Sequence, residues 1–184
     1  ISKKSRFSPG IITSYAFPET EKRKINLNIA GKNISTEIDA IASEANNFVI
    51  ESEYAILKLY ANNEKWKEAW IRYYKTIYRD SYSRLSKAAF DITSALYPLA
   101  RKKNPQEPEN ALNEILLNWV QNFEYKRGDT KSTDFTSVID SITGTGSDCD
   151  SRSMLMCIIL KQNGIDTSLF ISREYSHAVY GAEL

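Results

Sequence analysis

The stretch from Gly144 to Ala182 constrains this chain most, because it carries its own punctuation. Gly144–Thr145–Gly146 reads as a tight turn. Ser147 or Asp148 then caps a helix that runs to about Gln162, and Asn163–Gly164 is its stop. Thr167–Ser172 and His177–Ala182 read as two short strands, with Arg173–Ser176 as the hairpin loop between them. Each boundary is set by a residue type suited to that position, so little freedom remains in how this part folds.

The preceding chain is mainly helical in pattern. Residues 1–23 mix Pro9, Gly10, Pro18 and charges and read as an arm, with a short strand at Ile11–Ala16. Lys24–Ile29 alternates apolar and polar residues, which predicts a strand, and Gly31–Lys32–Asn33 follows as a turn. From Thr36 to about Lys102 the spacing is helical. Separate helices are predicted at Glu53–Asn62, Glu64–Arg79 and Tyr82–Ala100, the last ended or kinked by Pro98. Arg101–Glu109 carries two prolines and is strongly polar. It is the candidate boundary between an N-terminal part, 1–103, and a second unit, 104–184, which can also pack as one domain. In the second unit Pro108–Phe123 is an amphipathic helix. Glu124–Ser132 is a polar exit, and Phe135–Ile142 is irregular or a short helix.

Composition narrows the function classes. The 184 residues suffice for one ordinary core. A formal net charge of +1 argues against a dedicated nucleic-acid-binding domain. No run approaches the ~18 apolar residues of a membrane span. The opening ISKKSRF does not read as a signal peptide. Because the chain begins at Ile, an upstream signal or anchor stays open. The compartment is not decided, with an extracytoplasmic or membrane-tethered setting as the expectation.

The two cysteines, Cys149 and Cys157, lie on one predicted helix. Eight residues at the helical rise put their Cα atoms ~12 Å apart, beyond the ~7 Å limit for a disulfide, so both are expected as free thiols. One histidine and two cysteines at this spacing do not make a tetrahedral zinc set. Asp148 and Asp150 alone are a weak metal signal. No metal and no cofactor is expected.

Cys149 and Cys157 are not equivalent. Cys149 falls in the first turn of its helix, where unpaired N–H groups favour a thiolate. Cys157 is two turns further in, between Met156 and Ile158, and reads as core. Asp148 and Asp150 oppose a thiolate, which leaves the sign of the Cys149 pKa shift open. His177 is the only histidine and opens a strand, so any imidazole base must be this one. A hairpin returning across the helix N-terminus sets the ring beside the sulfur, the pairing used in thiol nucleophilic catalysis. The Cys149 N–H is then one oxyanion donor.

The run GSDCDSRSMLMCIILKQNGIDTSLFIS followed by SHAV resembles the core of the transglutaminase-like superfamily, and LNWVQNFEYKRGD resembles the helix before that family's cysteine. The resemblance covers about Ala111–Leu184. It implies an α+β, papain-like core with a small antiparallel sheet, here behind a helical N-terminal part. It also implies a Cys-His-Asp triad in which Cys149 is the nucleophile and His177 the general base and acid. Ser147, Asp148 and Asp150 are expected to shape the site. The family's third residue lies on the strand after the histidine strand. Glu183 is ~20 Å along the same strand and does not replace it, so the acid is expected beyond Leu184.

The implied function is acyl transfer on amide bonds of a protein or peptide substrate, with peptidase or amidase activity preferred over cross-linking. The alternative is an inactive transglutaminase-like module that binds a protein or cell-envelope partner. Elsewhere, Trp66, Trp70, Tyr73 and Ile77 read as a helix-packing stripe. Their basic neighbours Lys65, Lys67, Arg72, Lys75 and Arg79 also suit a membrane-surface or partner helix. Trp119 is read as core, and Arg152 as a solvated face residue.

Overall fold

The computed structural model describes residues 11–18, 20–126, 133 and 135–184. Among the described residues nine elements follow one another: β1 (Lys22–Ile29), β2 (Lys32–Asp39), α1 (Ala42–Leu59), α2 (Trp66–Lys103), α3 (Pro108–Gln121), α4 (Val138–Thr143), α5 (Cys149–Gln162), β3 (Thr167–Ser172) and β4 (His177–Ala182). The class is α+β, with two separate antiparallel hairpins, β1–β2 and β3–β4.

The first hairpin is amphipathic. Leu27 and Ile29 on β1 and Ile34, Thr36 and Ile38 on β2 are buried at every second position. The chain reverses at Ala30 and Gly31, both at positive φ, and Lys32 already pairs with Ile29. The turn therefore lies earlier than Gly31–Lys32–Asn33. Thr36–Asp39 is strand rather than the start of the helical region. Its apolar alternation is masked because Thr36 is polar, and the buried Thr36 hydroxyl is satisfied by Asp91 at 2.6 Å. Residues 11–16 are irregular rather than a strand. The first ten residues and most of the Glu124–Ser132 exit lie outside the described residues.

The region expected to hold three helices holds two. α2 runs unbroken for 38 residues. Asp80 and Ser81, between the two expected helical stretches, are satisfied from within and from α1. Arg84 clasps Asp80 at 2.8 Å, and Asn46 Nδ2 donates to Asp80 at 2.8 Å and to the buried Ser81 at 3.0 Å. Pro98 lies inside the helix without ending it. Leu96 and Ala100 on either side are fully buried, so packing holds the helix through the missing donor. The Lys32 ammonium also donates to the Ala95 carbonyl at 2.9 Å, near that gap.

One apolar cluster runs from Leu27 on β1 through α1, α2, α3 and α4 to Ile165. α5 sits within it. Every residue from Ser153 to Leu160 is buried, so this helix has no solvent face in its middle.

An ion pair ties the N-terminal arm to the helices. Arg72 Nε and Nη2 donate to the two oxygens of Glu53 at 2.8 Å each. Thr13 Oγ1 and Tyr15 Oη each donate to Glu53 Oε1 at 2.9 Å, and Arg72 also donates to the Ile11 carbonyl. Arg72 is thus a buried partner of α1 and not part of a basic membrane- or partner-facing surface. Burial pushes the Glu53 carboxyl up, but its bonds to Arg72, Tyr15 and Thr13 outweigh this and hold it below the ordinary carboxyl value.

Removing one partner strands the other in the core. Glu53→Gln is expected to destabilise the fold by roughly 3–5 kcal/mol at neutral pH, read by urea denaturation. Because the folded pKa is depressed, this contribution is complete above the ordinary carboxyl value and disappears as pH falls through the lower folded one. The gap between the parent chain and Glu53→Gln should therefore close in acid. A gap that stays constant with pH contradicts this role for the pair.

Candidate functional site

α5 begins where it does because Asp148 and Ser151 cap it reciprocally. Asp148 has extended backbone geometry, and its carboxylate accepts from the Ser151 N–H at 2.7 Å. The Ser151 hydroxyl in turn accepts from the Asp148 N–H at 2.9 Å, closing a capping box. The other Asp148 oxygen accepts from the Thr136 N–H at 2.6 Å. Asp148 is therefore a buried structural cap whose side chain faces its own helix end and the Thr136 strap. Burial raises its pKa, partly offset by these bonds.

Ser147 is likewise structural. It is fully buried, donates to the Glu124 carbonyl at 2.6 Å and accepts from Arg152 Nε at 3.0 Å. Arg152 also donates to the Phe123 carbonyl at 2.6 Å. The expected solvated arginine is instead a half-buried brace between α5 and the end of α3, and it misled because both its acceptors lie outside its own helix. Trp119, expected in the core, is half-buried and packs edge-on against Phe123 at 4.9 Å.

Cys149 is the first residue of α5 and is half-buried. Its backbone N–H donates to no acceptor among the described residues, as expected at a helix start. Its thiol donates to Asp150 Oδ1 at 3.7 Å. Tyr74, from α2, donates its hydroxyl to the other Asp150 oxygen at 2.9 Å. Asp150 thus stands between a tyrosine and the thiol, and burial with this carboxylate alongside pushes the Tyr74 hydroxyl well above its ordinary range.

The β3–β4 hairpin brings the histidine to the same place. Ser176 takes a left-handed conformation (φ 46°) at the end of the loop, and His177 then opens β4 opposite Ser172. The next residue, Ala178, is buried and locks the strand onto α5, where its carbonyl accepts from the Ser153 hydroxyl at 3.2 Å. The Ala178 N–H faces the Cys149 sulfur and favours the thiolate. Cys149, Asp150 and His177 line one cleft of about 120 Å³, together with Trp70, Tyr74 and Arg173. The imidazole itself is exposed, and among the described residues it is hydrogen-bonded neither to Cys149 nor to any acid.

The surroundings of Cys149 oppose a thiolate. Burial raises the Cys149 pKa above the ordinary thiol value. The Ala178 N–H offsets part of this, and the charges of Asp150 and Asp148 add to the rise. Cys157, 3 % exposed, is pushed up to about 11, chiefly by burial. No cluster of three or more His, Cys, Asp or Glu side chains suited to a metal occurs among the described residues.

Several cleft residues carry no signal in the sequence. Tyr74 follows Tyr73 of the aromatic stripe in sequence but turns its hydroxyl to Asp150, and Arg173 sits in what reads as a plain connecting loop. They gain a role only where α2 packs on α5 and faces β3 across open space.

A raised thiol pKa has a measurable consequence. Alkylation of Cys149 by iodoacetamide is expected to quicken steadily as pH rises into the alkaline range, with Cys157 lagging throughout. Asp150→Asn removes a charge that opposes the thiolate, so it should speed labelling of Cys149 several-fold at fixed neutral pH. An unchanged or slower rate, mapped by peptide mass spectrometry, refutes that electrostatic assignment.

In comparisons with known proteins, no family model, no curated protein and no solved structure matches this chain.

Proposed function

We propose that this chain forms the core of a papain-type, transglutaminase-like thiol enzyme that acts on amide bonds, with Cys149 as nucleophile and His177 as base and acid. The observation that carries the reading is the shared cleft. A cysteine at a helix N-terminus and a histidine at the first position of the strand packed against that helix face the same small space. The residues between them, GSDCDSRSMLMC to SHAV, carry the sequence resemblance to that superfamily.

In this reading His177 takes the Cys149 proton as the sulfur attacks the amide carbonyl. A tetrahedral oxyanion forms beside the Cys149 N–H, which has no acceptor of its own. The carbon–nitrogen bond then breaks, the imidazolium gives its proton to the leaving amine, and a thioester remains. Water, deprotonated by the same imidazole, cleaves the thioester, releasing a carboxylic acid and restoring the thiol. Hydrolysis is preferred over transfer to an amine.

The raised thiol pKa is compatible with this order of events, because the proton moves during attack rather than before it. Asp150 holds the thiol by a long hydrogen bond, and Tyr74 holds Asp150. Substrate that displaces water from the cleft and draws the sulfur from Asp150 toward the imidazole completes the pair.

A second reading has its own observation. The exposed imidazole has no acid bonded to it among the described residues, and burial raises the pKa of the thiol. Both suit an inactive module of the same type that binds a protein or cell-envelope partner.

Incubation with a diverse peptide mixture, followed by mass spectrometry for new termini and for deamidated glutamine, separates the two. An enzyme gives products that fall by about 10³-fold or more in Cys149→Ala and by about 10²–10⁴-fold in His177→Ala. Products that persist in Cys149→Ala rule out the thiol mechanism, and a complete lack of products favours the binding module.

A further inference from the structure

A second, larger cavity of about 670 Å³ adjoins the thiol cleft. It lies between the first turns of α2 and the strand β3, and Trp70, Tyr74, Ile171 and Arg173 belong to the walls of both spaces. Its size is that of a small-molecule or side-chain site.

Its walls have an unusual composition for this chain. The apolar part comes from Trp66, Trp70, Tyr78, Ile71, Leu169 and the floor residue Cys157. Ile71 is 54 % exposed, so this apolar surface is open to an incoming ligand. The charged part is Lys67, Lys75, Lys161 and Arg173, with no acidic side chain among the described walls. Lys161 is held by Asp166, which lies outside the cavity. Lys67, Lys75 and Arg173 form no ion pair among the described residues. Lys67 and Arg173 rest instead near the face of Trp66, at 5.5 and 5.6 Å from the ring centre. A chain whose net charge is only +1 thus gathers four cations around one aromatic cavity.

We propose that this cavity selects the substrate: a peptide with a bulky apolar or aromatic side chain flanked by acidic residues, lying beside the amide presented to Cys149. The proposal rests on the amide-cleaving reading given above. The indoles and aliphatic side chains desolvate the apolar residue, and the cations at the rim meet the flanking carboxylates. The shared residues set the two spaces side by side, so that in this arrangement a peptide anchored in the cavity extends over them toward the thiol cleft. There a carboxylate, that of Asp150, stands beside Cys149. Acidic residues are therefore favoured in the cavity and disfavoured at the scissile bond itself.

Binding and turnover are measured separately. Full-length chain carrying Cys149→Ala is titrated with three synthetic peptides, and the fluorescence of Trp66 and Trp70 reports occupancy. One peptide has a phenylalanine between aspartates, one a phenylalanine between lysines, and one a glycine between aspartates. The first is expected to bind at least tenfold more tightly than either of the others. Adding Lys67→Glu and Lys75→Glu, both at exposed positions, should reverse the order of the acidic and basic peptides while the circular dichroism spectrum stays unchanged. Equal affinity for the three peptides, or no reversal by the glutamates, overturns the proposal. So does tight binding of phosphatidylglycerol vesicles that the acidic peptide fails to displace, which assigns the face to a membrane.

The same peptides are then given to the chain with Cys149 intact. Selective binding without turnover upholds the cavity's preference and sinks the amide-cleaving reading. Turnover that ignores the apolar and acidic residues does the opposite.

Discussion

Everything near the candidate site depends on one buried helix. From Ser153 to Leu160 α5 has no face to water, and α2, α3, α4 and the β3–β4 hairpin pack around it. A helix enclosed on all sides has its position determined by the whole core rather than by one neighbour. Its N-terminus cannot drift, because the Asp148–Ser151 box and the Thr136 N–H hold the first turn. Cys149 takes its place from that cap, and β4 takes its place from the same helix through Ser153 and Ala178. The thiol and the imidazole are therefore positioned by one rigid element and not by two independent loops.

The electrostatic character of the site follows from the same cap. An aspartate at the N-cap and another at the second helical position are favourable for the helix and unfavourable for a thiolate. Burial raises the Cys149 pKa, the two aspartates add to the rise, and the helix end and the Ala178 N–H supply the opposing pull. Stability and reactivity compete within four residues. The balance is set further by Tyr74, which arrives from α2 and reaches Asp150 rather than the cysteine. The N-terminal half of the chain thus contributes directly to the cleft, as well as to the aromatic cavity beside it.

Where the fold was legible in the sequence, the deciding forces were local. The starts and stops of α5, β3 and β4 coincide with their expected limits because each is set by a cap or by strand periodicity within a few residues. Cys157 is a core residue for the same reason, sitting in an uninterrupted apolar run. Where legibility failed, the deciding partner was distant. α2 is continuous because Asn46 on another helix satisfies Ser81 and Asp80. Arg72 is buried because Glu53 and the arm residue Thr13 receive its charge. Arg152 is a brace because its acceptors are Ser147 and Phe123. Thr36 hides in a strand because Asp91 bonds its hydroxyl. Cys149 and His177 stand out in the sequence, each at the start of its element. The roles of Tyr74, Arg173 and the cavity do not, since they arise only when α2 packs on α5 and leaves a space facing β3.

The central claim is that Cys149 and His177 act as one unit, and a double-substitution cycle on peptide turnover measures this most directly. Rates are compared for the parent chain, Cys149→Ala, His177→Ala and the chain carrying both changes. Groups that share one proton in one step are strongly non-additive. The account predicts that the double variant is no slower than Cys149→Ala alone. Losses that multiply, with the double variant slower by the product of the two single effects, contradict it.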